Sequence, residues 1–80
     1  MERAILERHL VEAKRHVAEG ERHLAHQRRI VAELERAGLV NAAQASELLE
    51  TLEETQSLHI ANRDRIEQEL QRAGCEPAHA

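Results

Sequence analysis

The sequence predicts an all-α fold, an antiparallel two-helix hairpin that dimerises into a four-helix bundle. Good helix formers dominate the 80 residues, and Gly20 is the one glycine between residues 2 and 37, a stretch without proline. A short segment of turn residues, 38–41, interrupts the helical pattern. Aliphatic residues recur every seven positions on both sides of that segment. This spacing is typical of one packed helix face.

The first predicted helix spans about residues 2–37 and ends at a glycine. Gly38 suits the left-handed conformation that closes a helix, and Leu39 suits the apolar contact that often follows it. Asn41 suits an N-cap for the next helix, and Gln44, three residues later, completes a capping box.

The second predicted helix follows the turn at residues 38–41, spans about residues 42–73 and stops at Gly74. A linker of four residues forces two neighbouring helices to run antiparallel. We therefore predict a hairpin over residues 1–74. Residues 75–80 are predicted to form a flexible tail.

Ten aliphatic residues at the heptad positions are predicted to pack the hairpin and its dimer. They are Leu6, Leu10, Val17, Leu24, Val31, Leu34, Leu49, Leu52, Ile66 and Leu70. The chain has no aromatic residue and one cysteine, Cys75, so neither aromatic packing nor an intramolecular disulfide stabilises its core. A core this small usually needs a partner or a metal. We expect a homodimer with coiled-coil packing.

The middle of each apolar stripe is polar. The predicted polar core layer consists of His16, Gly20, His23, Gln27, Thr55, Gln56, His59, Asn62 and Arg63. If the turn is symmetric, the numbers of facing residues add to 79, so Gly20 faces His59 and leaves room for its imidazole. The same rule gives two further pairs, His23 with Gln56 and His16 with Arg63. A buried polar layer of this kind fixes helix register and partner number.

The six histidines allow two other interpretations. His16, His23, His26 and His59 are candidate ligands for a divalent transition metal such as zinc, which needs three or four converging donors, and Glu19 offers a carboxylate. The strong spacing His-x-x-x-His is absent, so a hydrogen-bonded layer without a cofactor is the first interpretation. The second alternative is a pH sensor, because imidazoles titrate near pH ~6.5 and acid would charge the layer.

The composition and the motifs exclude several functions. A net charge of −4 and the absence of aromatic residues argue against nucleic-acid binding. No stretch approaches the roughly 20 apolar residues of a membrane span, and no signal-peptide core is present. No serine or cysteine lies beside a base and an oxyanion hole. We expect a non-enzymatic cytoplasmic protein, a structural module or one that binds an unknown protein partner.

Three motifs carry a resemblance over most of the chain. They are His16-x-x-x-Gly20-Glu21-x-His23-x-x-x-Gln27, Glu54-Thr55-Gln56-x-x-His59 and Arg63-Asp64-Arg65. The stretch that contains them resembles short helical-hairpin proteins of alphaproteobacteria for which no function is established. The resemblance implies no activity and favours a bacterial cytoplasmic protein.

Overall fold

The structure, a computed structural model, describes residues 2–75 and shows two helices. Helix α1 spans Arg3–Arg36 and helix α2 spans Ala42–Cys75. The helices pack against each other in an antiparallel hairpin about 14 Å across. The predicted all-α class is therefore confirmed. Neither helix of the described chain has the apolar length that crossing a bilayer requires.

The turn forms because Gly38 adopts the conformation predicted for it. Its φ of +65° is left-handed, a conformation that glycine adopts without a steric cost. The Gly38 N–H donates to the Glu35 carbonyl, and the Leu39 N–H donates to the Leu34 carbonyl. These two bonds close the C-terminus of α1 in a Schellman motif, which satisfies carbonyl groups that the helix leaves free.

Two backbone hydrogen bonds close the second half of the linker, and the second is the first intrahelical bond, which the carbonyl of an N-cap residue such as the predicted Asn41 accepts. The Ala42 N–H donates to the Leu39 carbonyl, and the Ala45 N–H donates to the Asn41 carbonyl, both at 3.1 Å. α2 continues through Gly74 to Cys75, two residues beyond its predicted end. The rest of the predicted flexible tail, residues 76–80, lies outside the described residues.

The apolar core is thin and runs along the contact between the helices. Its buried members are Leu6, Ala13, Leu24, Val31 and Ile66. Near the free ends of the helices, Leu10 and Leu70 pack against the cluster formed by Leu6, Ala13 and Ile66. All ten aliphatic residues predicted to pack are buried or half-buried. Each fully buried aliphatic side chain contributes about 1.5–3 kcal/mol, so this core provides limited stability.

The predicted register of the two helices is wrong by about one helical turn. Gly20 lies against Gln56 and not His59, and His16 lies beside His59 and not Arg63. The error comes from the assumption of a symmetric turn. The turn that ends at Gly38 is followed directly by a tight turn from Leu39 to Ala42, so α2 begins beside an earlier part of α1 than a symmetric turn would allow.

Candidate functional site

A buried glutamine of α2 occupies the space that Gly20 leaves open. The side chain of Gln56 is only 4% exposed. A Cβ atom added to Gly20 would lie 2.6 Å from the Gln56 Cδ and still closer to its Oε1. Real Cβ atoms do not approach other atoms so closely, so any larger residue would displace the carboxamide. Gly20 therefore accommodates an amide, and the imidazole predicted at this position is a turn away.

The Gln56 carboxamide binds the opposite helix through its nitrogen. Nε2 donates to the Val17 carbonyl at 2.9 Å and to the Glu21 carboxylate at 3.0 Å. Within residues 2–75, its Oε1 has no hydrogen-bond partner and lies against the Gly20 backbone.

A second glutamine makes the reciprocal contact from α1. Gln27 is 7% exposed, and its Nε2 donates to the Ala45 carbonyl at 2.9 Å. We call Gly20, Gln27 and Gln56 the glutamine layer. Each glutamine binds a backbone carbonyl of the other helix, and the Gln56 carboxamide occupies the place of a Cβ at Gly20, so sliding one helix by a turn would press it against a larger residue. Buried polar groups of this kind select one register among several with similar apolar packing.

Two histidines lie side by side next to the glutamine layer. The ring centroids of His16 and His59 are 5.5 Å apart, and the ring planes are tilted by 43°. Both side chains are half-buried. They form part of a surface cleft of about 90 Å³, which we call the histidine cleft. Its lining residues are His16, Glu19, Gly20, His23, Leu52, Thr55, Gln56 and His59.

Three residues of the predicted polar core layer are not in the core. His23, Thr55 and Asn62 are exposed. They lie beside the row of residues through which each helix faces the other. At the edge of a two-helix interface these positions remain in contact with water. The Thr55 hydroxyl donates to the Thr51 carbonyl of its own helix, and the Asn62 Oδ1 accepts from Arg65.

Arg63 also differs from its predicted role. Its side chain is half-buried, and its Nη2 lies 2.9 Å from the Asp64 carboxylate, on the neighbouring residue of the same helix. The guanidinium therefore pairs at the surface and does not face His16 across the interface.

The candidate metal ligands divide into two groups. His16, His23 and His59 line the histidine cleft, whereas His26 is exposed and is not part of it. Between residues 2 and 75, no three His, Cys, Asp or Glu side chains already converge on one point.

A surface ion-pair network borders the histidine cleft. Arg15 donates to Glu12 at 2.6 Å and to Glu19 at 2.8 Å. The hydrogen bond from Arg15, together with its positive charge, lowers the pKa of Glu12 below its ordinary value. The hydrogen bond to Glu12 is the largest cause that raises the pKa of Arg15 above its ordinary value, and the negative charges of Glu12 and Glu19 raise it further. All three side chains are substantially exposed, so these pairs are screened by water and salt.

Glu21 is the functional residue that sequence reasoning missed, because its carboxylate accepts a hydrogen bond from Gln56. Val17 was predicted only as a packing residue, and its backbone carbonyl also accepts a hydrogen bond from Gln56. The sequence signal for this contact is the glycine in the middle of α1. Glycine destabilises a helix relative to alanine, so its presence there indicates that another group, here a glutamine amide, approaches the backbone closely.

Comparison with protein-family models, with curated proteins and with solved structures gave no match.

Proposed function

We propose that the chain is a non-enzymatic, self-associating helical hairpin that acts as a structural or protein-binding module. The observation that carries this proposal is exposed area. The chain exposes 6090 Å² of surface, whereas a compact monomer of its mass exposes roughly 4,900 Å². The excess reflects the elongated shape of a hairpin about 14 Å across, which leaves its sides open to a second copy. A second copy of the chain is the partner that we propose.

The half-buried aliphatic side chains support a particular face for this contact. Leu10, Val17, Leu49 and Ile60 are half-buried, and helical geometry places them on the edge of the hairpin opposite the histidine cleft. We call this surface the apolar edge. The middle of the opposite edge is polar, so the apolar edge gains more from the removal of water. Two hairpins packed on this edge form a four-helix bundle.

The proposal is tested by light scattering coupled to size-exclusion chromatography at micromolar concentration. We expect twice the 9.1 kDa mass of the chain. The variant Val17→Glu places a charge on the apolar edge and should shift the protein to the monomer. The matched variant Val11→Glu should remain a dimer, because Val11 is already 65% exposed.

A second matched pair separates loss of the dimer from loss of the fold. Ile60→Glu should give a monomer with unchanged helical circular dichroism, and Leu58→Glu should leave the dimer intact, since Leu58 is 72% exposed. A monomeric wild-type chain contradicts self-association. Dimers of all four variants contradict the choice of this edge. The cytoplasmic bacterial setting is part of the same proposal and is favoured by the resemblance noted above.

A further inference from the structure

The two imidazoles of the histidine cleft lie at a separation that is compatible with a shared metal ion. Two histidines on one tetrahedral ion, with metal–nitrogen distances of about 2.0–2.1 Å, have ring centroids about 5 Å apart. The centroids of His16 and His59 are 5.5 Å apart. We propose that His16 and His59 bind a divalent transition-metal ion in this cleft, with Glu19 as the third protein ligand.

Glu19 can reach the ion at small cost. It lines the cleft, three residues after His16 and therefore on a neighbouring position of the same helix surface. Its carboxylate now accepts a hydrogen bond from Arg15, and both side chains of that pair are more than one-third exposed. Such an exposed pair contributes little to stability, so the carboxylate is free to turn towards an ion.

His23 provides a fourth donor from the same surface. It lines the cleft four residues after Glu19, and its side chain is exposed and unconstrained by core packing. The part of the chain that the structure describes contains no ready-made set of three ligands. Binding therefore depends on rotation of Glu19 and His23 towards the preformed histidine pair. An ion bound in this way keeps open positions for water.

The surrounding charges favour a cation. Glu12, Arg15 and Glu19 together carry a net charge of −1 beside His16. On α2, the positive charge of Arg63, one turn after His59, is paired with Asp64. Imidazole and carboxylate donors suit Zn²⁺, Ni²⁺, Co²⁺ and Cu²⁺, whereas Mg²⁺ and Ca²⁺ prefer sites built from oxygen alone.

Titration calorimetry of the untagged full chain, stripped with chelator, tests the site. The probes are zinc chloride and nickel chloride alone. We expect one ion per chain and a raised melting temperature, since an ion that binds only the folded state stabilises it. His16→Gln and His59→Gln keep similar side-chain volumes and should weaken binding by at least about tenfold, the lower bound for loss of an outer partner of a ligand.

Matched histidine variants distinguish this cleft from general surface binding. His26→Gln should bind like the wild type, because His26 lies outside the cleft. His79→Gln is the equivalent control for a histidine beyond the described residues. Absence of binding overturns the proposal, and so does equal weakening by His26→Gln and His59→Gln.

A second readout covers the case in which a cleft variant loses its fold. In the wild-type chain, nickel should broaden the imidazole proton resonances of His16 and His59 and spare those of His26. Broadening centred on His26 contradicts the site. The site lies within one hairpin, so its test is independent of whether two copies associate.

Discussion

The free end of the hairpin and its middle hold the helices together by different physical means. At the free end, Leu6, Ala13 and Ile66 form an apolar cluster. Between the middle and the turn, Gln56 and Gln27 each donate a hydrogen bond to a carbonyl of the opposite helix. Apolar burial is not directional, so the free end stabilises many alignments. Hydrogen bonds have fixed geometry, so the middle selects one alignment from among them.

The largest effect is expected from the apolar cluster. Ile66→Ala removes a buried side chain and should reduce the free energy of unfolding by about 2–5 kcal/mol. Urea unfolding followed by circular dichroism measures the change. The control Leu58→Ala alters an exposed leucine and should stay within about 0.5 kcal/mol of the wild type. Equal losses in both variants would show that the cluster is not the main apolar support.

The next effect distinguishes Gly20 from an ordinary helix glycine. Gly20→Ala should push the Gln56 carboxamide away and lose its bonds to Val17 and Glu21, about 0.5–1.5 kcal/mol each. This loss offsets the gain of about 0.5–1 kcal/mol from replacing a helix glycine. Gly74→Ala is the matched control, since a Cβ there makes only an ordinary contact at 3.7 Å, and it should be neutral or stabilising by up to about 1 kcal/mol.

A double-mutant cycle makes this test specific. Adding Gln56→Ala to Gly20→Ala should cost less than Gln56→Ala alone, because the bonds of the carboxamide are then already lost and the two changes are coupled. If Gly20→Ala stabilises the chain as strongly as Gly74→Ala, the close approach of the Gln56 carboxamide is refuted.

Replacing both glutamines of the glutamine layer with apolar residues should change the stability less, but it should allow more than one register of the two helices. The double variant Gln27→Leu with Gln56→Leu should keep its stability within about 1–2 kcal/mol or gain some, since apolar replacements of buried polar groups are often neutral or stabilising. Its amide NMR spectrum should show additional peaks from alternative registers. A single set of peaks with the wild-type register would mean that the apolar rows alone determine the alignment.

The smallest effect concerns the exposed ion pairs. Arg15 lowers the pKa of Glu12 in the folded chain, so the pair stabilises the fold above the unfolded pKa of the carboxyl, near 4.5. That stabilisation is lost as the pH falls through the lower folded value. Glu12→Gln should therefore narrow the difference in urea midpoint between pH 7 and pH 3. If the difference in urea midpoint is as large in Glu12→Gln as in the wild type, the contribution of this pair is contradicted.

The sequence was sufficient for the elements that depend on local rules. The left-handed Gly38 and the aliphatic heptad rows follow from backbone sterics and from helix periodicity, which nearby residues determine. Both are found where they are predicted.

The sequence was not sufficient for the pairing across the interface. The partner of Gly20 depends on how far the linker folds back, and a shift of one turn replaces His59 with Gln56. A heptad pattern tolerates such a shift, because similar residues recur along each row. The exposure of His23 and Thr55 was also not predicted. The helical periodicity puts both residues beside the row that faces the other helix, and such positions are buried only when a third or fourth helix packs there.

The position of the Gln56 amide against Gly20 is the central claim, and proton–proton Overhauser contacts in the isotope-labelled chain test it most directly. We predict contacts between the Gln56 side chain and the Gly20 α-protons, together with contacts between the rings of His16 and His59. Contacts between the His59 ring and the Gly20 α-protons, in place of those from Gln56, would contradict the account and restore the register of a symmetric turn.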